Sequence, residues 1–226
     1  MSKPSIPEDR VARSLRGFGP VGILAVLVIL LVGNDHYLPL GGILVLLWAW
    51  RSHTPWRELG FVRPKSWILT AAAGIAFGVA FKLLMKAIVM PLLGADPVNH
   101  AYHYLAGNRA SLPGAIYTFI VSAGFGEETV FRGYLFERLG KIFGTSVRAK
   151  TVTVIITAAL FALAHLSGQG IAGAEQAIFT GLLFGTMFAI TGNLWMPMFA
   201  HAAFDLTALA IICLNLEPAV AHIVFR

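Results

Sequence analysis

The stretch SAGFGEETVFRGYLFERLG, residues 122–140, decides the fold because it places charged side chains inside an apolar segment. Glu127, Glu128 and Arg132 lie at its centre, with apolar residues and glycines on both sides. In the middle of a bilayer, each ionised side chain costs roughly 2.5–3.5 kcal/mol on insertion scales. Charged residues in membrane helices therefore face the interior of a helix bundle. The stretch raises two questions: whether it crosses a membrane, and which groups its charges meet.

The composition of the whole chain answers the first question. Of the 226 residues, 57% are hydrophobic and only 12% are charged, and the mean hydropathy is +0.75. A soluble domain has about 25% charged residues, so this chain has too few charges to cover so large an apolar core. We expect residues 1–226 to form a single integral membrane domain.

The apolar runs predict about seven transmembrane helices. The runs are residues 21–33, 38–50, 67–93, 112–136, 151–166, 172–191 and 194–214. A span needs about 20 residues, so the first, second and fifth runs are extended, tilted or partly interfacial. Asn34, Asp35 and His36 separate the first two runs, and we favour two short spans with a tight turn there over one long span with a polar interruption. No alternating strand pattern is present, which predicts an all-α polytopic membrane fold.

Basic residues are unevenly distributed among the loops between these runs. Twelve of the seventeen Lys and Arg residues fall in three clusters, which precede the first run, follow the second, and separate the fourth from the fifth. Seven spans place all three clusters on one side. Because cytoplasmic loops carry an excess of Lys and Arg, we expect a cytoplasmic N-terminus and a plasma (inner) membrane location. The positive charge fits contact with anionic membrane lipid, and no soluble basic domain is present to bind nucleic acid.

Three residue pairs in the apolar runs have a spacing of four, which places both members on one helix face. The pairs are Glu128 with Arg132, Phe161 with His165, and His201 with Asp205. Since lipid rejects polar groups, the least costly arrangement turns them toward one polar cavity inside the bundle. In an α-helix Glu127 is rotated by about 100° from Glu128, so it does not share the helix face of the Glu128–Arg132 pair. We expect Glu127 to line one cavity together with His165, His201 and Asp205.

In this order the three motifs resemble those of one protein family. EETVFR matches the pattern Glu-Glu-x-x-x-Arg, FALAH matches Phe-x-x-x-His, and HAAFD matches His-x-x-x-Asn/Asp. The chain is thus similar to the CPBP family of intramembrane proteases, which includes CAAX-prenyl endopeptidases and proteins of bacteriocin processing and self-immunity. One such pair arises easily by chance, whereas three in order on apolar segments are specific. The resemblance covers about residues 112–212, which we interpret as the catalytic core.

The resemblance implies an intramembrane endopeptidase that cleaves a membrane-associated peptide or protein tail. Glu127 would be the base that activates water, and His165 would hold that water. Glu128 and Arg132 would form a supporting pair next to the base. The implied partners are membrane lipid and a substrate with a membrane-associated segment.

The third motif would stabilise the oxyanion of the tetrahedral intermediate through His201 and Asp205. The sequence differs here from relatives with Asn, because an Asn side chain can donate a hydrogen bond to an oxyanion and an ionised Asp cannot. Asp205 must then be protonated or must orient His201. We favour orientation, because a carboxylate can fix the tautomer of an imidazole and support its charged form.

A zinc mechanism is the alternative to this glutamate mechanism. Glu127, His165, His201 and Asp205 are all acceptable zinc ligands, although the chain has no His-Glu-x-x-His motif. We expect the glutamate mechanism, with no cofactor. The alternative function is a non-catalytic membrane protein, either an immunity or scaffold factor or a small transporter, that uses the same polar groups for structure or proton relay.

Other polar residues in apolar surroundings have simpler interpretations. Lys82 and Lys86, in the third run, are expected to snorkel or to face a cavity in the bundle. His100 and His103 are expected to be ordinary loop residues, with a metal-binding pair as the alternative. Cys213 is the single cysteine of the chain, so it forms no intramolecular disulfide and is expected to be a buried apolar thiol.

Overall fold

The structure is a computed structural model that describes residues 9–32 and 39–225. Within these two ranges all regular secondary structure is helical, which confirms the all-α class. The predicted turn at Asn34, Asp35 and His36 lies outside the described residues, as does Lys3 of the basic cluster that precedes the first run.

Three short helices form the N-terminal part of the bundle. α1 spans Arg10–Arg16, α2 spans Pro20–Val32 and α3 spans Leu40–Ser52. The Asp9 side chain accepts hydrogen bonds from the backbone N–H groups of Val11 and Ala12, which caps α1 at the end where helical N–H groups have no partner. α1 and α2 meet at a bend of 60°.

The next long helix, α4, spans Trp67–Leu92 and packs closely on α7, which spans Trp195–Cys213. Two glycines permit the contact, because neither has a side chain to separate the backbones. A Cβ on Gly74 would lie 2.8 Å from the carbonyl oxygen of Met196, and a Cβ on Gly78 would overlap the carbonyl oxygen of Ala200. Since residue numbers rise together along this contact, α4 and α7 run in the same direction.

Helix α5, residues 112–143, carries the Glu-Glu-Arg cluster and is not a uniform α-helix. Its stretches Thr118–Glu127 and Thr129–Tyr134 are π-helical, a form that is rare and is found frequently at functional sites. The rotation of about 100° per residue expected for an α-helix therefore does not apply to Glu127 and Glu128. Gly124 lies against α7 in this region, where an added Cβ would come 3.0 Å from the Cβ of Ala202.

Helix α6, Val147–Thr191, contains 45 residues and breaks at Gly170, whose φ of 67° and ψ of −165° are not helical. The positive φ favours glycine, since a side chain is strained in that conformation. Ser146 caps the start of α6 by accepting a hydrogen bond from the backbone N–H of Ala149. The break lies between the predicted fifth and sixth runs and places a half of α6 on each side.

In the part of the chain that the structure describes, fewer helices are long and apolar enough to cross a membrane than the seven that the sequence predicts. Among the described residues three helices are long and apolar enough to cross a membrane, α4, α6 and α7, and a fourth span arises if the bent pair α1 and α2 is counted as one. Helix α3 has 13 residues, which is short for a span. The protein is an integral membrane protein, and the count of seven spans stays a prediction.

The three basic clusters lie at one end of the bundle, because side chains connect them. Arg138 of α5 donates to the carbonyl oxygen of Arg16 at 2.8 Å, and Lys141 contacts the Glu58 carboxylate at 2.9 Å. Arg51 donates to Asp9. The first, second and third clusters thus converge there, as expected if they share one side of the membrane.

The opposite end is formed by the loop between α4 and α5 and by α8, Glu217–Ala221. Glu217 is buried and accepts hydrogen bonds from the backbone N–H of Asn99 at 2.8 Å and from the His103 ring at 2.9 Å. His100 contacts Asp96 at 3.1 Å. His103 therefore holds the loop to α8, which supports the structural interpretation of these histidines.

Candidate active site

Glu128, Arg132 and His201 form a buried polar cluster at the contact between α5 and α7. The Arg132 guanidinium donates to Glu128 Oε1 at 2.7 Å, which confirms the ion pair expected from the spacing of four. The same oxygen lies 2.7 Å from His201 Nδ1. Because a carboxylate accepts hydrogen bonds and does not donate them when ionised, His201 carries its proton on Nδ1. Glu128 thus fixes the orientation of the His201 ring.

The Arg132 side chain, only 1% exposed, is surrounded by groups that balance its charge. It donates to the backbone carbonyl oxygens of Thr180 and Gly181 on α6, both at 3.4 Å. Its guanidinium also lies 4.7 Å from the centre of the Phe161 ring, a distance suited to a cation–π contact. A buried charge is tolerated when it is paired and hydrogen-bonded. Through these contacts Arg132 joins α5 to both halves of α6, before and after the break at Gly170.

The other ring nitrogen of His201 faces two carboxylates. Nε2 lies 3.6 Å from Asp205 Oδ2 and 3.9 Å from Glu127 Oε2. Both distances exceed a hydrogen bond, so the three groups surround a space and do not close it. The side chains of Glu127 and Asp205 are 17% and 21% exposed, whereas that of Glu128 is fully buried. The two adjacent glutamates therefore have different surroundings.

His165 is held by the backbone of its own helix. Its Nδ1 lies 2.8 Å from the carbonyl oxygen of Phe161, and because a carbonyl oxygen only accepts, Nδ1 donates the proton. A neutral His165 then has the lone pair on Nε2, which can accept a hydrogen bond from water. The Phe161 ring packs against both His165 and His201, with ring centres 4.4 Å and 5.9 Å from theirs, so Phe161 fills the space between the two histidines.

One cavity of about 60 Å³ joins these groups, and Glu127, His165, His201 and Asp205 all line it. A water molecule needs about 10–15 Å³ of such volume and two to four polar partners, so the cavity can hold water next to these side chains. Lys82 and Gln176 line the same cavity. Of the two interpretations offered for Lys82, the cavity-facing one is confirmed.

A comparison with protein families tests the resemblance stated for the motifs. The model described as "Type II CAAX prenyl endopeptidase Rce1-like" matches residues 109–207. Over residues 109–207 the chain is similar to this family. No significant match was found to a curated protein or to a solved structure. The suspected CAAX-protease relationship is confirmed for the segment that contains all three motifs.

The Rce1-like segment provides suitable donor types for zinc but not an arranged ligand set. Within residues 9–32 and 39–225, no group of three or more His, Cys, Asp and Glu side chains is placed to hold a metal ion. His201 Nδ1 is bonded to Glu128, which leaves only Nε2 for a ligand. The zinc alternative stays a prediction, and we derive no step through a metal.

Sequence reasoning missed one contact of this site, the hydrogen bond from His201 to Glu128. The spacing of four pointed to Asp205 as the orienting partner of His201, but the Nδ1 partner is Glu128, and Asp205 lies on the Nε2 side. The spacing of four in the sequence indicates Arg132 as a partner of Glu128 but gives no sign of a second one. A carboxylate can nevertheless accept hydrogen bonds from both Arg132 and His201. The role of Asp205 stays a prediction.

Proposed function

We propose that the protein is an intramembrane endopeptidase that cleaves a membrane-associated peptide or protein tail by a glutamate mechanism. The observation that carries the proposal is the cavity shared by Glu127, His165, His201 and Asp205. A carboxylate base, an imidazole acceptor and a second imidazole face the same small volume. General acid–base catalysis requires such groups within reach of one water molecule.

In the proposed reaction, His165 Nε2 accepts a hydrogen bond from the water, and Glu127 removes its other proton. The resulting hydroxide attacks the carbonyl carbon of the scissile peptide bond. Glu127 then gives the proton to the leaving nitrogen as the C–N bond breaks, so the base is regenerated. The support for this assignment is that Glu127 is the more exposed of the two glutamates and faces the cavity.

His201 would stabilise the negative charge that develops on the carbonyl oxygen. Its Nδ1 proton is bonded to Glu128, and a carboxylate at this position supports a charged imidazolium, which can donate from Nε2. Asp205, 3.6 Å from Nε2, would keep that nitrogen directed into the cavity. The orienting role predicts partial loss of activity in Asp205→Asn, whereas a direct-donor role predicts no loss or a gain.

The central experiment is peptide cleavage by the purified protein in lipid. The probe is a fluorogenic peptide that ends in a prenylated CAAX sequence, and a leader peptide and a hydrophobic sorting tail serve as second and third probes. We expect Glu127→Gln to abolish cleavage with unchanged thermal unfolding, because an amide keeps the shape and cannot take the proton. His201→Ala should reduce turnover by about 10²–10³-fold, the scale for one oxyanion donor.

A strong chelator separates the glutamate mechanism from the zinc alternative. If Glu127 and His165 generate the nucleophile, activity survives treatment with the chelator. Loss of activity that returns with added zinc would reject the glutamate mechanism, because zinc is the group that lowers the pKa of bound water. Unchanged cellular function in both Glu127→Gln and His165→Ala would reject the peptidase and leave the immunity, scaffold or transporter alternative.

The proposed setting of this reaction is the plasma (inner) membrane, with the N-terminus in the cytoplasm. The support is the convergence of the three basic clusters at one end of the bundle and the excess of basic residues in cytoplasmic loops. The proposed partners are membrane lipid and the peptide or protein substrate.

A further inference from the structure

Lys82 is a buried cation in the catalytic cavity that the proposed reaction does not use. It lies on α4, outside the segment that matches the Rce1-like family, and is 5% exposed. Its Nζ donates to Gln176 Oε1 at 2.8 Å and lies 4.7 Å from the centre of the Phe204 ring. Both partners are uncharged.

The surroundings of Lys82 differ from those of the buried Arg132 and the partly buried Lys86. Arg132 has the Glu128 carboxylate at 2.7 Å, and Lys86 has Glu217 at 3.9 Å. For Lys82, the described part of the chain places no carboxylate within 4.0 Å of Nζ. Buried charges are normally paired or hydrogen-bonded on all sides because desolvation is costly, so this ammonium has capacity for an anionic partner.

Helix packing places Lys82 beside the reacting groups. Gly78 contacts the backbone of Ala200, which immediately precedes His201. Lys82 is four residues further along α4, about 6 Å along the axis at 1.5 Å per residue, and meets Phe204 of the parallel helix α7. Its ammonium therefore lies one helical turn beyond the His201 level, on the side of Asp205.

Lys82 also lies where two cavities adjoin. A second cavity of about 130 Å³ shares Lys82, Asn99, Gln169 and Gln176 with the catalytic cavity and extends further to Asp96 in the loop between α4 and α5. Lys86 lines this second cavity and not the catalytic one. A peptide group that enters from the loop end would meet Lys82 before it reaches His201.

We propose that Lys82 binds a carboxylate group of the peptide substrate, with Gln176 holding the ammonium in place. The inference rests on the proposed endopeptidase function and adds a specificity-determining residue to it. Asp205 and Glu217 attract the Lys82 ammonium from beyond 4.0 Å, and a substrate carboxylate would supply the direct counter-charge that the described residues do not. A carboxylate paired with a buried ammonium forms a charge-assisted hydrogen bond, which is about twice as strong as a neutral one.

The carboxylate has two chemical sources, the C-terminus of the substrate and an acidic side chain. Three versions of one prenylated peptide separate them: the free C-terminal acid without acidic side chains, its C-terminal amide, and the amide with one Asp next to the scissile bond. Binding of the free acid alone identifies the chain end. Tight binding of the Asp-containing amide identifies the side chain.

The experiment measures binding without cleavage, so that it does not depend on catalysis. Fluorescence anisotropy gives the Kd of each peptide for the Glu127→Gln protein in lipid nanodiscs. We expect a carboxylate-bearing peptide to bind about 10- to 100-fold more tightly than the plain amide, the range of one hydrogen bond to a charged group. Adding Lys82→Met should remove this preference and leave the affinity for the plain amide unchanged, and Lys82→Arg should retain part of it.

Lys65→Met is the control, because Lys65 is exposed and lines neither of the two cavities. It should keep the preference for the carboxylate. Equal affinities of the Glu127→Gln protein for all three peptides would overturn the proposal even if Lys82→Met failed to fold. An equal loss of affinity for acid and amide in Lys82→Met would also overturn it, and would assign Lys82 to holding α4 against α6. If the protein without substitutions cleaves none of the peptides, the proposed peptidase function is contradicted. The comparison of Kd values can still be interpreted in that case, because it does not depend on cleavage.

Discussion

Two adjacent glutamates serve different purposes at the scale of single residues. Glu128 is fully buried and accepts from both Arg132 and His201, whereas Glu127 faces the cavity. The spacing in the sequence predicted the Glu128–Arg132 pair, because residues four apart share a helix face. It could not predict the Glu128–His201 bond, because the register between two helices depends on packing contacts far apart in the chain.

This difference predicts opposite effects on stability for the two Glu→Gln substitutions. Glu128→Gln leaves the buried Arg132 without its counter-charge, so we expect a loss of about 3–5 kcal/mol, the scale for breaking a fully buried pair, together with lower activity. Glu127→Gln should lose activity alone. Thermal unfolding and peptide cleavage measured on the same preparations check both statements, and equal melting temperatures of the two variants would contradict them.

The glycine contact between α4 and α7 determines the site at the scale of helices. Gly78 allows the α4 backbone to approach Ala200, next to His201, and a spacing of four then carries Lys82 to the cavity. The sequence showed both helices as apolar runs, because composition reveals a span. It did not reveal the π-helical stretches of α5, since the residue pattern of a π-helix is not distinct from that of an α-helix with the same apolar residues.

We predict that Gly78→Ala separates α4 from α7. The new methyl group would overlap the carbonyl oxygen of Ala200, and such overpacking typically costs about 1–3 kcal/mol. Gly140→Ala is the control, because its Cβ would meet no atom within 4 Å and Ala favours a helix over Gly by up to about 1 kcal/mol. Thermal unfolding should show a loss for the first variant and none for the second; equal melting temperatures would disprove the close contact.

The N-terminal helix α1 is joined to α3 by a contact that depends on pH. A hydrogen bond from Arg51 lowers the pKa of the Asp9 carboxyl from 3.8 to about 2. Because this pKa is lower in the folded state, the stabilisation is complete above about pH 4 and disappears as the pH falls toward 2. The protection factors of the α1 amides, which correct for the intrinsic pH dependence of exchange, should fall as the pH falls through this window. Asp9→Asn should lower these protection factors already at pH 7. Protection factors that do not change between pH 4 and pH 2 would contradict the assignment.

At the scale of the whole molecule, the three basic clusters lie at one end of the helix bundle. Basic residues meet at one end through Arg138, Lys141 and Arg51, while the other end is tied by Glu217. Composition predicted membrane insertion because the apolar fraction is a property of the whole chain. The number of spans was less accessible, because short apolar runs such as residues 38–50 are below the length of a span, and hydropathy alone does not show whether such a run crosses the membrane.

Residue labelling tests the direction of this arrangement. Since Cys213 is the single cysteine, the Cys213→Ala protein accepts one new cysteine at a time. At the basic end we choose Arg148→Cys and at the opposite end Asn108→Cys, both at exposed positions. With a membrane-impermeant thiol reagent on intact cells, Asn108→Cys should label at once and Arg148→Cys only after permeabilisation. The reverse result would place the N-terminus outside.

The double use of one oxygen, Glu128 Oε1, has a consequence for how mutational scans of this protein should be interpreted. A growth phenotype cannot distinguish a substitution that removes chemistry from one that removes folded molecules. Because Arg132 and His201 share that oxygen, most changes at these three positions will lower protein abundance as well as turnover. A scan that measures protein abundance should therefore find substitutions of Glu128, Arg132 and His201 harmful and substitutions of Glu127 and His165 harmless. A scan that measures activity should find all five harmful. The two positions that are sensitive in the activity scan alone then identify the water-activating pair.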